Sequence, residues 1–180
     1  MCAYVPEGIS RYGLNVTVHP NYDDLAALPA YTEQPVPMAF EDINGHLNVR
    51  HYIGIASEGL DECLSACGIP QTWPLTHGHA VFSAEHHCTY LHELRTGSLM
   101  SARVRLLGRS ERAAHALVYL LDDSNRRVAF VMEEILLHVE LADRKTAPWP
   151  AEVAASLDER IAHDALISVE MPTHGCLALR

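Results

Sequence analysis

Phe40-Glu41-Asp42-Ile43-Asn44-Gly45-His46-Leu47-Asn48-Val49-Arg50-His51-Tyr52 joins an acid, an Asn-Gly turn signal and the start of a periodic apolar pattern. Past it, Tyr52, Ile55, Ala56, Gly59, Leu60, Cys63, Leu64 and Cys67 recur at steps of three and four. That is the spacing of one buried helix face, and it predicts a helix from about Leu47 to Cys67. Gly68 and Pro70 stop it. Upstream, Tyr31 to Phe40 reads as extended, with Pro35 and Pro37 confining it to an edge or to a strand that bends.

Downstream the chain is rich in β-forming residues. Ala80 to Leu91, Leu99 to Gly108, Ala113 to Asp122 and Arg126 to Glu140 read as strands. Thr96-Gly97-Ser98 and Asp122-Asp123-Ser124-Asn125 read as hairpin turns, and Arg109 to Arg112 as another short connection, so these strands are expected to be antiparallel neighbours. After Pro148 and Pro150, Ala151 to Leu166 reads as a surface helix. Leu14 to Val18 is β-like, and Val169 to Arg180 reads as a short strand or tail. A long helix must bury its apolar face, and a curved sheet around it is the economical solution. The expected fold is therefore α+β: an antiparallel sheet wrapped around one long central helix, the hot-dog arrangement. Residues 1–29 are read as an N-terminal extension, and residues 30–180 as the domain with a C-terminal helix and tail.

The 180 residues include 13 basic and 23 acidic side chains, a net charge of −10 with His neutral. Such a chain gains little from releasing counterions along a phosphate backbone, so nucleic acid is not the expected partner. The five cysteines are odd in number and form no CxxC pair, which fits structural thiols in a reducing cytoplasm. No signal-peptide pattern opens the chain and no apolar run approaches the ~18 residues that cross a bilayer, so no membrane partner is expected. The chain also carries 12 histidines. Among them His77-x-His79, with Glu85 beyond, raises a metal-binding β-barrel as an alternative. That Glu lies too far along for the usual barrel pattern, and no Cys cluster accompanies it.

An acid, a tight turn and a helix start make a plausible reaction site. Backbone N–H groups at a helix N-terminus can hold an oxyanion, and a nearby carboxylate can act as base or nucleophile. On the local pattern alone, an Asp before a helix is more often a cap. Asp42-x-Asn44-Gly45-His46-x-Asn48-x-x-x-Tyr52, however, resembles the signature of the hot-dog acyl-CoA thioesterases of the 4-hydroxybenzoyl-CoA thioesterase type. The resemblance continues through Glu85 to Gly97 and covers roughly residues 31–140. Within that family, Leu136-Leu137-His138-Val139 followed by Pro148-Trp149-Pro150 is similar to the thioesterases of carnitine and betaine breakdown, which implies betainyl-CoA as substrate.

The resemblance implies that Asp42 activates a water or attacks the thioester, that the N–H of Gly45 or His46 holds the oxyanion, and that Asn48 and Tyr52 shape the turn and pocket. It implies no metal and no cofactor, coenzyme A entering only as part of the acyl-CoA substrate. Strand alternation places Glu85, His87 and Thr89 on one face with Val81 and Ser83, and the family places that strand beside the helix. These three are therefore expected to serve the substrate, with Glu85 a reserve base. Arg95, Arg103 and Arg105 are expected to meet the CoA phosphates, with Arg109 and Arg112 nearby. A quaternary ammonium acyl group would favour Tyr52, Tyr90, Trp73 or Glu85. Rival readings on the same fold are a dehydratase acting on acyl thioesters and a non-catalytic acyl-binding protein. A single such sheet leaves an open edge and an incomplete pocket, so a homodimer or homotetramer is expected.

Overall fold

The side chain of Asn48 accepts the Arg50 N–H at 3.2 Å and so caps the helix that organises the molecule. In this computed structural model, which describes residues 20–167 together with Leu177 and Leu179, that helix runs Val49–Ala66. It buries Tyr52, Ile55, Ala56, Gly59, Leu60, Cys63 and Leu64, the set picked out by the three- and four-residue steps. Gly68, at φ +86°, ends it in the left-handed conformation that a glycine adopts without strain.

In chain order the elements are α1 (Tyr22–Ala26), β1 (Tyr31–Pro35), a 3-10 turn (Met38–Phe40), α2 (Val49–Ala66), α3 (Trp73–Thr76), β2 (His79–Tyr90), β3 (Leu99–Arg109), β4 (Ala113–Asp122), β5 (Arg127–Glu140), β6 (Lys145–Thr146) and α4 (Ala151–Asp164). The strands form one antiparallel sheet in the order β1-β3-β4-β5-β2, with β6 beside β5. Its inner face packs on α2 through Met100, Ala102, Val104, Leu106, Ala114, Ala116, Val118, Leu120, Phe130, Met132 and Leu136. Alanines at Ala102, Ala114 and Ala116 let the helix approach. At Gly59 the approach is so close that a Cβ would overlap the Ala102 Cβ. On the outer face, Leu117, Tyr119, Leu121, Val128 and Val131 pack with Leu25 and Leu28 from the segment before β1.

Two expectations are corrected. Thr96-Gly97-Ser98 does not fold β3 back onto β2. The turn is real, with Ser98 N–H donating to Arg95 O at 3.0 Å, but Gly97 and Ser98 then bond to Val36, which sets β3 beside β1. Strand β2 instead pairs with β5 and lies at the far end of the sheet. The second correction concerns parity. A bulge at Ala84 shifts the β2–β5 register between Ser83 and Glu85. Val81 and Ser83 therefore share the inner face with His86, Cys88 and Tyr90, while Glu85, His87 and Thr89 pair with Ile135, Glu133 and Val131 on the outer face. The expected elements at residues 14–18 and 169–180 lie outside the described residues, Leu177 and Leu179 apart. None of the helices among the described residues is long and apolar enough to cross a membrane.

Candidate active site

The chain enters α2 through a tight loop. Asp42 N–H donates to His46 O at 2.9 Å and Gly45 N–H to Asp42 O at 3.1 Å, with Gly45 at φ +81°. This is a three-residue hairpin loop closed by a left-handed residue, and Asn44-Gly45 supplies the residues it needs. The Asp42 carboxylate is part of the loop. Oδ1 accepts the Asn44 N–H at 2.7 Å, and Oδ2 accepts the Asn44 side-chain amide at 3.2 Å. His46 Nδ1 lies 3.5 Å from Oδ1. Partial shielding from water opposes ionisation of Asp42, but the Asn44 hydrogen bonds and the neighbouring His46 outweigh it and hold the carboxyl below its ordinary value.

The loop rests on the 91–98 connection. Leu47 N–H donates to Leu94 O at 2.7 Å, and His46 bridges to Arg95. In return, Leu94 N–H donates to the Tyr52 hydroxyl at 3.3 Å. The Tyr52 ring lies 5.2 Å from Tyr90 and 5.3 Å from Phe130, and Tyr90 is 46% exposed. Burial pushes the Tyr52 hydroxyl up, with the Tyr90, Glu93 and Asp42 charges adding to that against the Leu94 bond. Glu93 binds Arg95 at 2.6 Å, and Thr96 donates to Glu41. Glu41, Glu93 and Thr96 are thus neighbours of Asp42 that no spacing or periodicity signals.

The expected site residues divide. Asp42, Gly45, His46 and Asn48 share the loop, and Tyr52 sits one turn into α2 as a core residue. The Gly45 N–H is taken by Asp42 O and the His46 N–H by the Asp42 carboxylate, whereas the Val49 N–H has no partner among the described residues. Glu85, His87 and Thr89 lie on the sheet face away from α2 and do not join Asp42. Arg103 and Arg105 are 8% and 4% exposed. Arg103 donates to Leu28 O at 2.6 Å, and Arg105 to Asp164 O at 2.8 Å and Ile167 O at 3.1 Å. These two tie outer elements to the sheet and are not open to phosphates. Arg95 and Arg50 are exposed beside the loop, while Arg109 is engaged by Asp158 at 2.7 Å. His77 ends α3 and His79 begins β2, with Gly78 at φ +70° between them, so they do not share a strand face. The His79 ring packs at a tilt against Trp73 and His138. Among the described residues no three His, Cys, Asp or Glu side chains converge as metal ligands.

Comparison with known proteins gives the same frame. A betainyl-CoA thioesterase of Pseudomonas aeruginosa is 31% identical over 135 residues, 74% of this chain and 85% of the relative. An L-carnitine dehydrogenase/betainyl-CoA thioesterase of Rhizobium meliloti is 29% identical over 122 residues, 68% of this chain and 24% of that longer protein. Among solved structures, a Staphylococcus aureus protein in complex with CoA superposes with a TM-score of 0.75 at 17% identity, covering 85% of this chain and 96% of the other. The 1,4-dihydroxy-2-naphthoyl-CoA thioesterase of Synechocystis superposes at 0.65 and 14% identity, covering 73% and 97%. The thioesterase-like superfamily matches residues 36–157, and the chain belongs to it.

Proposed function

We propose that this acyl-CoA thioesterase hydrolyses a small cationic acyl thioester, betainyl-CoA, with Asp42 as general base or nucleophile. The observation that carries the reading is the Asp42 carboxylate, held ionised by Asn44 and His46 and only half-buried, in the tight loop that leads into α2. The Pseudomonas relative supports the acyl group.

As a base, Asp42 takes a proton from water as the hydroxide adds to the thioester carbonyl carbon. The oxyanion that forms is met by the Val49 N–H at the start of α2, where the helix dipole favours negative charge. Collapse breaks the C–S bond, and the departing thiolate takes up the proton. As a nucleophile, an Asp42 oxygen bonds to the carbonyl carbon as the C–S bond breaks and coenzyme A leaves as the thiolate, and water then opens the mixed anhydride to the free acid and the Asp42 carboxylate. Arg50 and Arg95 are the exposed cations beside the loop and are assigned to the CoA phosphates. Among the described residues the long strand β2 ends the sheet, and a position at the sheet edge supports a homodimer.

The test is thiol release from a panel of acyl-CoAs that includes betainyl-CoA. Rapid release with betainyl-CoA is expected. Conversion without free thiol would point to the dehydratase chemistry instead, and silence across the panel to acyl binding alone.

A further inference from the structure

Between the C-terminal half of α2 and the start of β2 lies a cavity of ≈ 190 Å³, open to solvent and lined by Asp61, Leu64, Ile69, Gln71, Trp73 and Val81 among others. An apolar cavity of about 150 Å³ suffices for benzene, so this one has room for a trimethylammonium group. Its chemistry suits such a group: an aromatic ring, aliphatic walls and one carboxylate. The surroundings are anionic as well. Glu134 is 1% exposed, binds His86 Nε2 at 2.9 Å through Oε1, and leaves Oε2 without a partner among the described residues. Desolvation, then the Glu134 and Glu58 charges, push the Asp61 carboxyl above its ordinary value. A bound cation relieves that repulsion.

The same chain's Asp42 cannot serve this cavity. Tyr52 marks the Asp42 end of α2, and Asp61 lies nine residues further on, about 13 Å at the helical rise. On the strands, Tyr90 packs on Tyr52 and His86 pairs with Glu134, four residues back, again about 13 Å. In a betainyl group the carbonyl carbon and the nitrogen share one CH₂, about 2.5 Å apart, like C and N across an α-carbon. A second copy removes the mismatch. Two β2 edges paired antiparallel about a two-fold axis normal to the sheet bring the Tyr90 end of one beside the His79–Val81 end of the other. Both α2 helices then lie on the same side.

We infer that the Asp61–Trp73 cavity of one copy holds the quaternary ammonium of the acyl group whose thioester is attacked by Asp42 of a second copy. This rests on the betainyl-CoA reading and adds the residue that selects for charge and the subunit that supplies it. 3,3-Dimethylbutyryl-CoA, the neutral carbon isostere, separates charge from shape.

The experiment compares kcat/KM for betainyl-CoA and 3,3-dimethylbutyryl-CoA in the wild type and in Asp61→Asn. It also measures betainyl-CoA turnover by co-expressed Asp42→Asn and Asp61→Asn chains. Asp61→Asn is expected to lower kcat/KM for betainyl-CoA about tenfold more than for the isostere, the size of a partly desolvated charge contact. In the mixture, each hybrid dimer carries one intact site, so random assembly restores about a quarter of wild-type turnover. An unchanged substrate ratio in Asp61→Asn, or mixed chains no better than the mean of their homo-oligomers, overturns the inference and leaves the hydrolase intact. A wild type that hydrolyses neither acyl-CoA overturns the functional reading, and this site with it.

Discussion

Asp42 Oδ1 accepts the Asn44 N–H at 2.7 Å while Oδ2 accepts the Asn44 amide at 3.2 Å. One neighbour thus shapes the loop and keeps the carboxylate charged. Because the carboxyl titrates below its ordinary value, the ionised form persists as pH falls through the usual aspartate range. The acid limb of kcat/KM should therefore lie below that range. Asn44→Ala keeps the backbone bond and loses the amide bond, so its acid limb should move to higher pH. A pH–rate profile of the two proteins checks this. The same sign holds for stability: the Asp42 contribution is present above its unfolded pKa and is lost as pH falls through the folded one.

Tyr52→Phe keeps the ring between Tyr90 and Phe130 but leaves the buried Leu94 N–H without its acceptor. The expected cost is about 1–3 kcal/mol of stability, read by urea denaturation with an unchanged slope.

Gly59→Ala tests how closely α2 is seated. An alanine gains helix propensity, but its methyl meets Ala102 Cβ. Overpacking should dominate, with a loss of about 1–3 kcal/mol in the same denaturation experiment.

Arg105→Met separates the buried arginines from CoA binding. The carbonyls of Asp164 and Ile167 lose their donor, so stability should fall by about 1–3 kcal/mol. KM for acyl-CoA in the folded protein should not change. Arg95→Ala, at an exposed position beside the loop, should raise KM with little effect on stability.

Much of this was legible in the residues. The central helix was, because one face carries an unbroken three- and four-residue apolar pattern from Tyr52 to Leu64. The β3–β4 and β4–β5 hairpins were, because their connections are short. The loop at Asp42 was, because Asn44-Gly45 names its geometry. What failed depended on distant partners. Nothing near Thr96 shows that Val36 takes the place expected of β2. No composition signal marks the extra residue at Ala84, and that one residue turns Glu85, His87 and Thr89 to the other face. Arg103 and Arg105 read as surface cations until Leu28, Asp164 and Ile167 are seen to cover them.

The most direct measurement is thiol release from betainyl-CoA by wild type and Asp42→Asn. Asn preserves an oxygen that can accept the Asn44 N–H, so the loop and the thermal transition should survive while the charge is lost. We expect kcat to fall by at least about 100-fold with folding unchanged. An Asp42→Asn protein that turns over betainyl-CoA at the wild-type rate would contradict the account.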